Sequence, residues 1–580
     1  MTYVVAEPEM MASVAMDLER IGSTISAANA AAAGRISGLA AAAGDEVSAA
    51  IANVLAAHGQ EYQAVATHVA AFHSEFHQAL AAAGRAYAQA ETAGVAALQG
   101  ALVAPAQGAS AAPAAAMIPP FMANEVSLFL GGTGDPIPSQ NYVERANALY
   151  VRSTETLQRL FTPEELYPAT GVRSLTLNRS VNEGIAILDN TLYEKINDAG
   201  QSVTVFGYSQ SSVIASLEMR NLAAGASAFG ATPPDPSQLN FVLTGNVMNP
   251  NGGMLARFPD LSIPSLGLTF YGGTPSDTPY ETAIYTLEYD GFADFPRYPL
   301  NFISTLNAVM GIGTVHPTYM GLTQAQVDSA IQLPTSPGYS GNTTYYMIET
   351  ENLPLLAPLR AIPVIGSPLA NLFQPSLEVI VNLGYGDPEF GYSTSPADVT
   401  TPFGLFPDVS PLRVLDALNA GAQEGIHDFT ADMHALQAQP PAPLSLTLPQ
   451  PVDFVSALNA IQAQPPAPLS LALPQPVDFV NAVTAAPTPI EIVNGLTTIA
   501  SDDYALLLPT ADIGVALLVT LPMYNAGLFV SELAQGDLID AIGLPIAATV
   551  GLTTIAGAVE LATIGLALYG NVQTLQGLAA

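Results

Sequence analysis

Val203-Thr-Val-Phe-Gly-Tyr-Ser-Gln-Ser-Ser212 reads as a strand that ends in a sharp turn and leads straight into a helix. Val203 to Phe206 are β-branched or aromatic, the composition of a buried strand, and Gly207 breaks the run. From Ser212 the segment Val-Ile-Ala-Ser-Leu-Glu-Met-Arg220 has helical spacing. A serine at the apex of such a turn is a nucleophile elbow. Small residues must flank it, because strand and helix pass close together, and Gly207 and Ser211 meet that demand. The pattern is Gly-x-Ser-x-Ser rather than Gly-x-Ser-x-Gly, so the flanking strand and helix carry the assignment of Ser209 as candidate nucleophile.

Working outward, β-rich and helical runs alternate. Val126-Ser-Leu-Phe-Leu130 is a predicted strand, followed at once by Gly131-Gly-Thr-Gly134. Ser174-Leu-Thr-Leu177 is read as a strand before a helix over Val181 to Ala199. Phe241–Thr244, Ile284–Tyr289 and Tyr345–Ile348 supply further strands. This alternation predicts a mainly parallel sheet with helices on both faces, and with a nucleophile elbow on it the expected fold class is α/β-hydrolase. The glycine loop completes neither Gly-x-Gly-x-x-Gly nor Gly-Lys-Ser/Thr. It fits an oxyanion loop, with one donor from the Thr133 segment and the other from the amide of Gln210, the residue after the serine. Between Asn251 and Glu281 lies a Gly/Pro-rich insert carrying Met254, Leu255, Phe258, Leu261, Ile263, Leu266, Leu268 and Phe270. It reads equally as a lid or acyl-binding wall and as an ordinary packed loop.

A serine hydroxyl is a poor nucleophile until a histidine takes its proton and an acid fixes that histidine's tautomer. Three histidines lie beyond Ser209: His316, His427 and His434. The last two fall past the end of the sheet in helical or Pro-rich sequence, so His316 is the base by elimination. Ile284-Tyr-Thr-Leu-Glu-Tyr-Asp-Gly-Phe-Ala-Asp294 offers two acids at a strand end. Asp294, three residues after Gly291, is the preferred triad member; Asp290 is the alternative, or braces the turn. Either aspartate could instead cap the next helix. This chemistry calls for no metal and no organic cofactor.

These motifs carry a resemblance. Gly-Tyr-Ser-Gln resembles the cutinase elbow, and Gly131–Gly134 the loop of its oxyanion hydroxyl. Gly-Gly-Thr-Gly, Gly-Tyr-Ser-Gln-Ser, Tyr-Asp-Gly-Phe-Ala-Asp-Phe-Pro, Val-His-x-Thr-Tyr and Leu-Pro-Leu-Leu-Ala-Pro-Leu together look like the PE-PPE domain, over residues 121–410. The resemblance implies a serine hydrolase acting on acyl esters as an esterase or lipase. In some relatives it implies acyl transfer onto cell-envelope glycolipids. Cutinases usually carry disulfides; this chain has no cysteine, so the kinship is one of site layout.

The first 95 residues read as two helices. Pro8-Glu9 suits a helix start, followed by Met10, Val14, Leu18, Ile21 and Ile25. After a break near Gly44, a seam from Ile51 through Leu55, Tyr62, Val65, Phe72 and Phe76 to Leu80 keeps the coiled-coil period. His73 and His77 lie four apart, but the Ser-Glu-Phe between them does not match His-Glu-x-x-His, so no metal site is expected. The hairpin resembles the PE family of mycobacterial proteins, and Tyr87-Ala-Gln-Ala-Glu91 resembles its type VII secretion signal. The resemblance implies pairing with a PPE-family protein as a four-helix bundle, export by the type VII machinery, and a secreted, cell-wall or cell-surface location. The N-terminal stretch lacks the basic and apolar regions of a Sec signal peptide.

Across its 580 residues the chain is only 11% charged, with a formal net charge of −35 and a single lysine, Lys195. Such acidity opposes binding to nucleic-acid phosphates. Residues 96–120 have linker composition. Over 411–510 a Pro-rich spacer is expected, containing the segment Ala438–Val455 repeated as Ala463–Val480 with Thr447 replaced by Ala472. Residues 511–580 are apolar and helix-compatible. Asp512, Pro522, Asn525 and the lack of flanking basic residues oppose a membrane span. A buried or membrane-surface helical region is expected instead.

Overall fold

The computed structural model describes residues 124–438 and 489–579. The hairpin expected over 1–95, the linker over 96–120, and with them Tyr87, Glu91, His73 and His77, lie outside the described residues. So does all of the duplicated segment except Ala438.

The strands are β1 (Val126–Phe129), β2 (Thr156–Arg159), β3 (Val203–Tyr208), β4 (Leu239–Thr244), β5 (Ser262–Ile263), β6 (Leu268–Thr269), β7 (Glu281–Leu287), β8 (Ile331–Gln332) and β9 (Thr343–Ile348). Seven of them form one sheet in the order β2-β1-β3-β4-β7-β9-β8. Its pairings are parallel except for β8, which runs antiparallel beside β9. β5 and β6 make a small separate hairpin within the 251–281 insert. Every residue of β1, β3 and β4 is buried, as a parallel sheet covered on both faces requires. Side chains alternate between two cores. Val203, Val205 and Phe241 face one side, and Phe206, Tyr208 and Val242 face the other.

The longer helices are α1 (Leu177–Leu192), α2 (Gln210–Ala224), α3 (Phe302–Thr314), α4 (Gly366–Asn382), α5 (Pro411–Ala438), α6 (Pro489–Ala505), α7 (Leu507–Val515), α8 (Leu521–Gln535) and α9 (Leu538–Ala579). Strand order reverses at β1: β2 lies on one side of it and β3 on the other. The loops leaving β1 and β3 therefore meet at the carboxyl edge of the sheet, where open α/β sheets place their ligands.

Three expectations change. Ser174–Leu177 is not a strand; it is a turn with Thr176 at the N-cap position of α1. A short run mixing Leu with a β-branched residue fits either state, and here the helix claims it. β2 was not foreseen, because Thr156-Leu-Gln-Arg159 is a half-exposed, polar edge strand. The region after Asp408 is not all spacer, since α5 packs along α4. Gly421 and Gly425 bring its backbone against Pro375 and Leu372 there.

The C-terminal helices join the same core. Leu521, Ala547, Ala548 and Leu552 are buried with Phe258, Phe270 and Phe403. Two stretches here, Ile490–Gln535 and Leu538–Gly577, are long and apolar enough to cross a membrane by length and composition. Their inner faces pack on the sheet domain, while Leu518, Met523, Ile539 and Leu561 stay exposed.

Candidate active site

Ser209 follows β3 directly and sits at φ 57°, ψ −116°, a left-handed, strained conformation for a residue with a side chain. The strain throws its Oγ off the chain path while α2 begins at once with Gln210. Gly207 passes so close to α2 that a Cβ there would lie 3.0 Å from the Ser211 carbonyl oxygen. Ser211 secures the turn from within, its Oγ accepting from the Tyr208 amide at 2.8 Å.

His316 follows α3, and its Nε2 lies 2.8 Å from Ser209 Oγ. Its Nδ1 lies 2.8 Å and 2.9 Å from the two carboxylate oxygens of Asp290. All three groups are withdrawn from water, Ser209 being 7% exposed, His316 2% and Asp290 0%. The acid loop and α3 meet directly: a Cβ on Gly311 would collide with the Tyr289 carbonyl oxygen. That close approach carries His316 over the end of β7.

Asp290, not Asp294, is therefore the acid on the histidine, which corrects the preferred sequence assignment. The chain turns at Tyr289 (φ 63°), and Asp290 Oδ1 accepts from the amides of Phe292 and Ala293 at 3.0 and 3.2 Å. Asp290 Oδ2 accepts from the Tyr319 hydroxyl at 2.8 Å. The sequence signal was Asp-Gly-Phe-Ala, an aspartate folding back on amides two and three residues ahead. Asp294 is buried one turn further on and accepts from the Tyr289 amide at 3.0 Å. Burial pushes its carboxyl well above the ordinary range, against the Tyr289 hydrogen bond and the nearby Arg257 charge. It braces the turn that aims Asp290.

The imidazole is held on its faces as well as its nitrogens. Tyr208 stacks on it at 5.2 Å between centroids and donates its hydroxyl to the His316 carbonyl at 2.8 Å. Phe292 meets the ring edge-on at 4.9 Å. Tyr319 accepts from the Leu287 amide at 2.9 Å while donating to Asp290. Burial and the Asp290 charge push its phenol well above the ordinary range, so it stays a neutral donor. Tyr208, Phe292 and Tyr319 were all within the quoted motifs, but nothing in their spacing marked them as positioning residues.

The glycine loop lies against the elbow. A Cβ on Gly132 would come within 2.8 Å of the Tyr208 ring and 3.3 Å of Ser209 Cβ. Thr133 lines the same cavity as Ser209 and Gln210. As the first residue of α2, Gln210 has a backbone amide with no intrahelical acceptor. Its side chain is anchored by donation to the Glu165 carbonyl at 2.9 Å. Among the described residues no cluster of His, Asp and Glu has the arrangement of a metal site. His427 is exposed on α5 beside Asp428, and His434 lies on the same helix.

Fold and site together define an α/β-hydrolase scaffold with a Ser-His-Asp constellation at its carboxyl edge. A family model described as the PE-PPE domain matches residues 153–386, and one described as the PE family matches residues 4–94. PE family protein PE3 of Mycobacterium tuberculosis is 46% identical over 428 residues, covering 73% of this chain and 87% of PE3. Esterase PE16 of the same organism is 45% identical over 424 residues, covering 72% of this chain and 75% of PE16. PPE family protein PPE28, also of M. tuberculosis, is 48% identical over 448 residues, or 76% of this chain and only 65% of its own length. The chain belongs to the mycobacterial PE family and carries a PE-PPE domain. More distant relatives include SL1278 acyltransferase Chp1 and diacyltrehalose acyltransferase Chp2, at 28% and 26% identity over 240 and 257 residues.

Proposed function

We propose that this protein is a serine esterase or lipase that cleaves carboxylic acyl esters through an acyl-enzyme on Ser209. The observation that carries the reading is the continuous chain from Ser209 Oγ through His316 to Asp290, with no link longer than 2.9 Å. His316 takes the serine proton as Oγ attacks the ester carbonyl, then returns it to the leaving alcohol. Asp290 holds the imidazole in the tautomer that leaves Nε2 free to accept. The Gln210 amide and a donor from the Thr133 loop stabilise the oxyanion; losing one such donor typically costs about 10²–10³ in rate. Water then releases the acid. A relative named an esterase supports this direction.

The decisive experiment is turnover of nitrophenyl esters by the full chain and by Ser209→Ala. A loss on the order of 10⁶ in kcat is expected, and unchanged turnover sinks the proposal.

A second reading keeps the triad and replaces water with a sugar hydroxyl, giving acyl transfer onto envelope glycolipids. Two relatives named acyltransferases favour it. Incubation with an acyl donor and trehalose separates the two: acylated sugar marks transfer, free acid alone marks hydrolysis. A non-catalytic adaptor role is disfavoured by the contact between His316 and Ser209.

The same proposal places the protein outside the cytoplasm, exported by a type VII system through Tyr87 and Glu91. Its N-terminal region pairs with a PPE-family protein. The exposed apolar residues of α8 and α9 favour contact with lipid at the cell surface. Retention in the cytosol by Tyr87→Ala, read by cell fractionation, tests the export step.

A further inference from the structure

The pocket at Ser209 is larger than an ester bond needs. A cavity of about 240 Å³ extends from Ser209, Gln210 and Thr133 into the protein. One wall comes from the insert after β4, through Leu261, Ile263 and Phe270. The opposite wall comes from the C-terminal helices, through Leu517, Leu552 and Val559. Thr563, also on this wall, spends its hydroxyl on the Val559 carbonyl at 2.8 Å, which leaves it no donor for a ligand. Away from the Ser209 end the lining is almost wholly aliphatic or aromatic, and such a space accepts apolar ligands.

The far wall is a built part of the site. Tyr167 donates to Asp512 at 2.6 Å, and Tyr524 donates to the Pro259 carbonyl at 3.1 Å. Gly551 lets α9 approach closely, since a Cβ there would lie 3.1 Å from both Phe258 and Pro299. These contacts fasten the helices to the pocket rim and the insert, and the helix-side partner in each (Asp512, Tyr524 and Gly551) lies beyond residue 386, where the PE-PPE match ends.

We infer that the C-terminal helices complete the site as the roof of an acyl-chain tunnel. The substrate class is then an ester of a long fatty acyl chain, its carbonyl at Ser209 and its alkyl chain between insert and roof. This rests on the esterase reading. A long alkyl chain is the part of an acyl ester that matches an apolar space opening on the nucleophile.

The test uses the full chain with Ala556→Phe and, separately, Ala562→Phe, two roof positions lining the cavity. Each is assayed on nitrophenyl butyrate and nitrophenyl palmitate. Each excluded methylene should cost a factor of about four, so the palmitate-to-butyrate ratio of kcat/KM should fall tenfold or more. A ratio unchanged in both variants overturns the inference. In parallel, Ser209→Ala protein is titrated with a fluorescent long-chain fatty acid, displaced by palmitate and not by butyrate. Adding Ala562→Phe should weaken that binding at least tenfold; equal binding overturns the roof. Absence of Ser209-dependent turnover on both esters counts against the esterase reading alone, and the binding titration then decides the tunnel by itself.

Discussion

Asp290 and Asp294 stand four residues apart, both fully buried, and only one of them touches His316. Their difference makes a sharp experiment. Asp290→Asn leaves a side-chain amide that can present an N–H to Nδ1 and favour the wrong tautomer, so kcat should fall by about 10³–10⁴. Asp294→Asn should leave kcat near that of the unsubstituted protein. The asparagine keeps an oxygen for the Tyr289 amide, and burial already disfavours the charge it removes. Equal losses in the two variants would return Asp294 to the reacting centre. A third buried acid makes a pH prediction. Glu164 accepts from Thr162 at 2.6 Å, and burial pushes its carboxyl up to about 8 from an ordinary 4.5. Folded protein therefore keeps a proton that the unfolded chain releases. The stability from this group is complete below about pH 4.5 and is lost as pH rises to about 8. Melting temperature should decline across that window, and Glu164→Gln should flatten the decline. Glu218 and Glu288, pushed up to about 8 and about 7, act in the same direction and leave a residual slope.

The junction of β3, the glycine loop and α2 depends on backbones that touch. Gly132→Ala would place a methyl against the Tyr208 ring and Ser209 Cβ, forcing loop and elbow apart. A displacement approaching 1 Å at a reacting centre can cost about 10²-fold. The expected outcome is a kcat loss of about 10–100-fold with a nearly unchanged melting temperature; a lost fold would instead show in the melt. This junction was legible because β3 is a continuous buried run closed by Gly207 and a serine, a pattern few other local structures share. β4, β7 and β9 were readable from their β-branched and aromatic content. β2 escaped notice because an edge strand with one partner needs no apolar run, and Thr156-Leu-Gln-Arg159 has none. The acid was misassigned because its role depends on which carboxylate the end of α3 approaches. The Gly311 contact decides that, and it is invisible to local patterning. By contrast the insert after β4 was read from its apolar content alone, and Met254, Leu255, Leu261, Ile263, Leu266, Leu268 and Phe270 do line the cavity.

The C-terminal region shows where sequence reading stops. A helix apolar on most of its circumference suits a lipid bilayer, a protein core or a surface equally well. What selects among them is the complementary apolar face, here the insert and α3, which lie more than 200 residues earlier in the chain. Sharing one core with the sheet, these helices should matter to folding as well as to the pocket. Ending the chain after Ala438 would uncover Phe258, Phe270 and Phe403, whose burial Leu521 and Leu552 help to complete. Each large apolar side chain fully buried contributes roughly 1.5–3 kcal/mol, so the two leucines alone are worth several kcal/mol. At about 2–4 °C per kcal/mol for a sizeable domain, the melting temperature should drop by on the order of 10 °C. The freshly exposed aromatic face should also bind an apolar dye such as ANS. Calorimetry and dye fluorescence on the truncated and full chains check this together. An unshifted melt with no added dye binding would mean that the hydrolase core closes without the roof. The helices would then be free to leave it for a lipid surface.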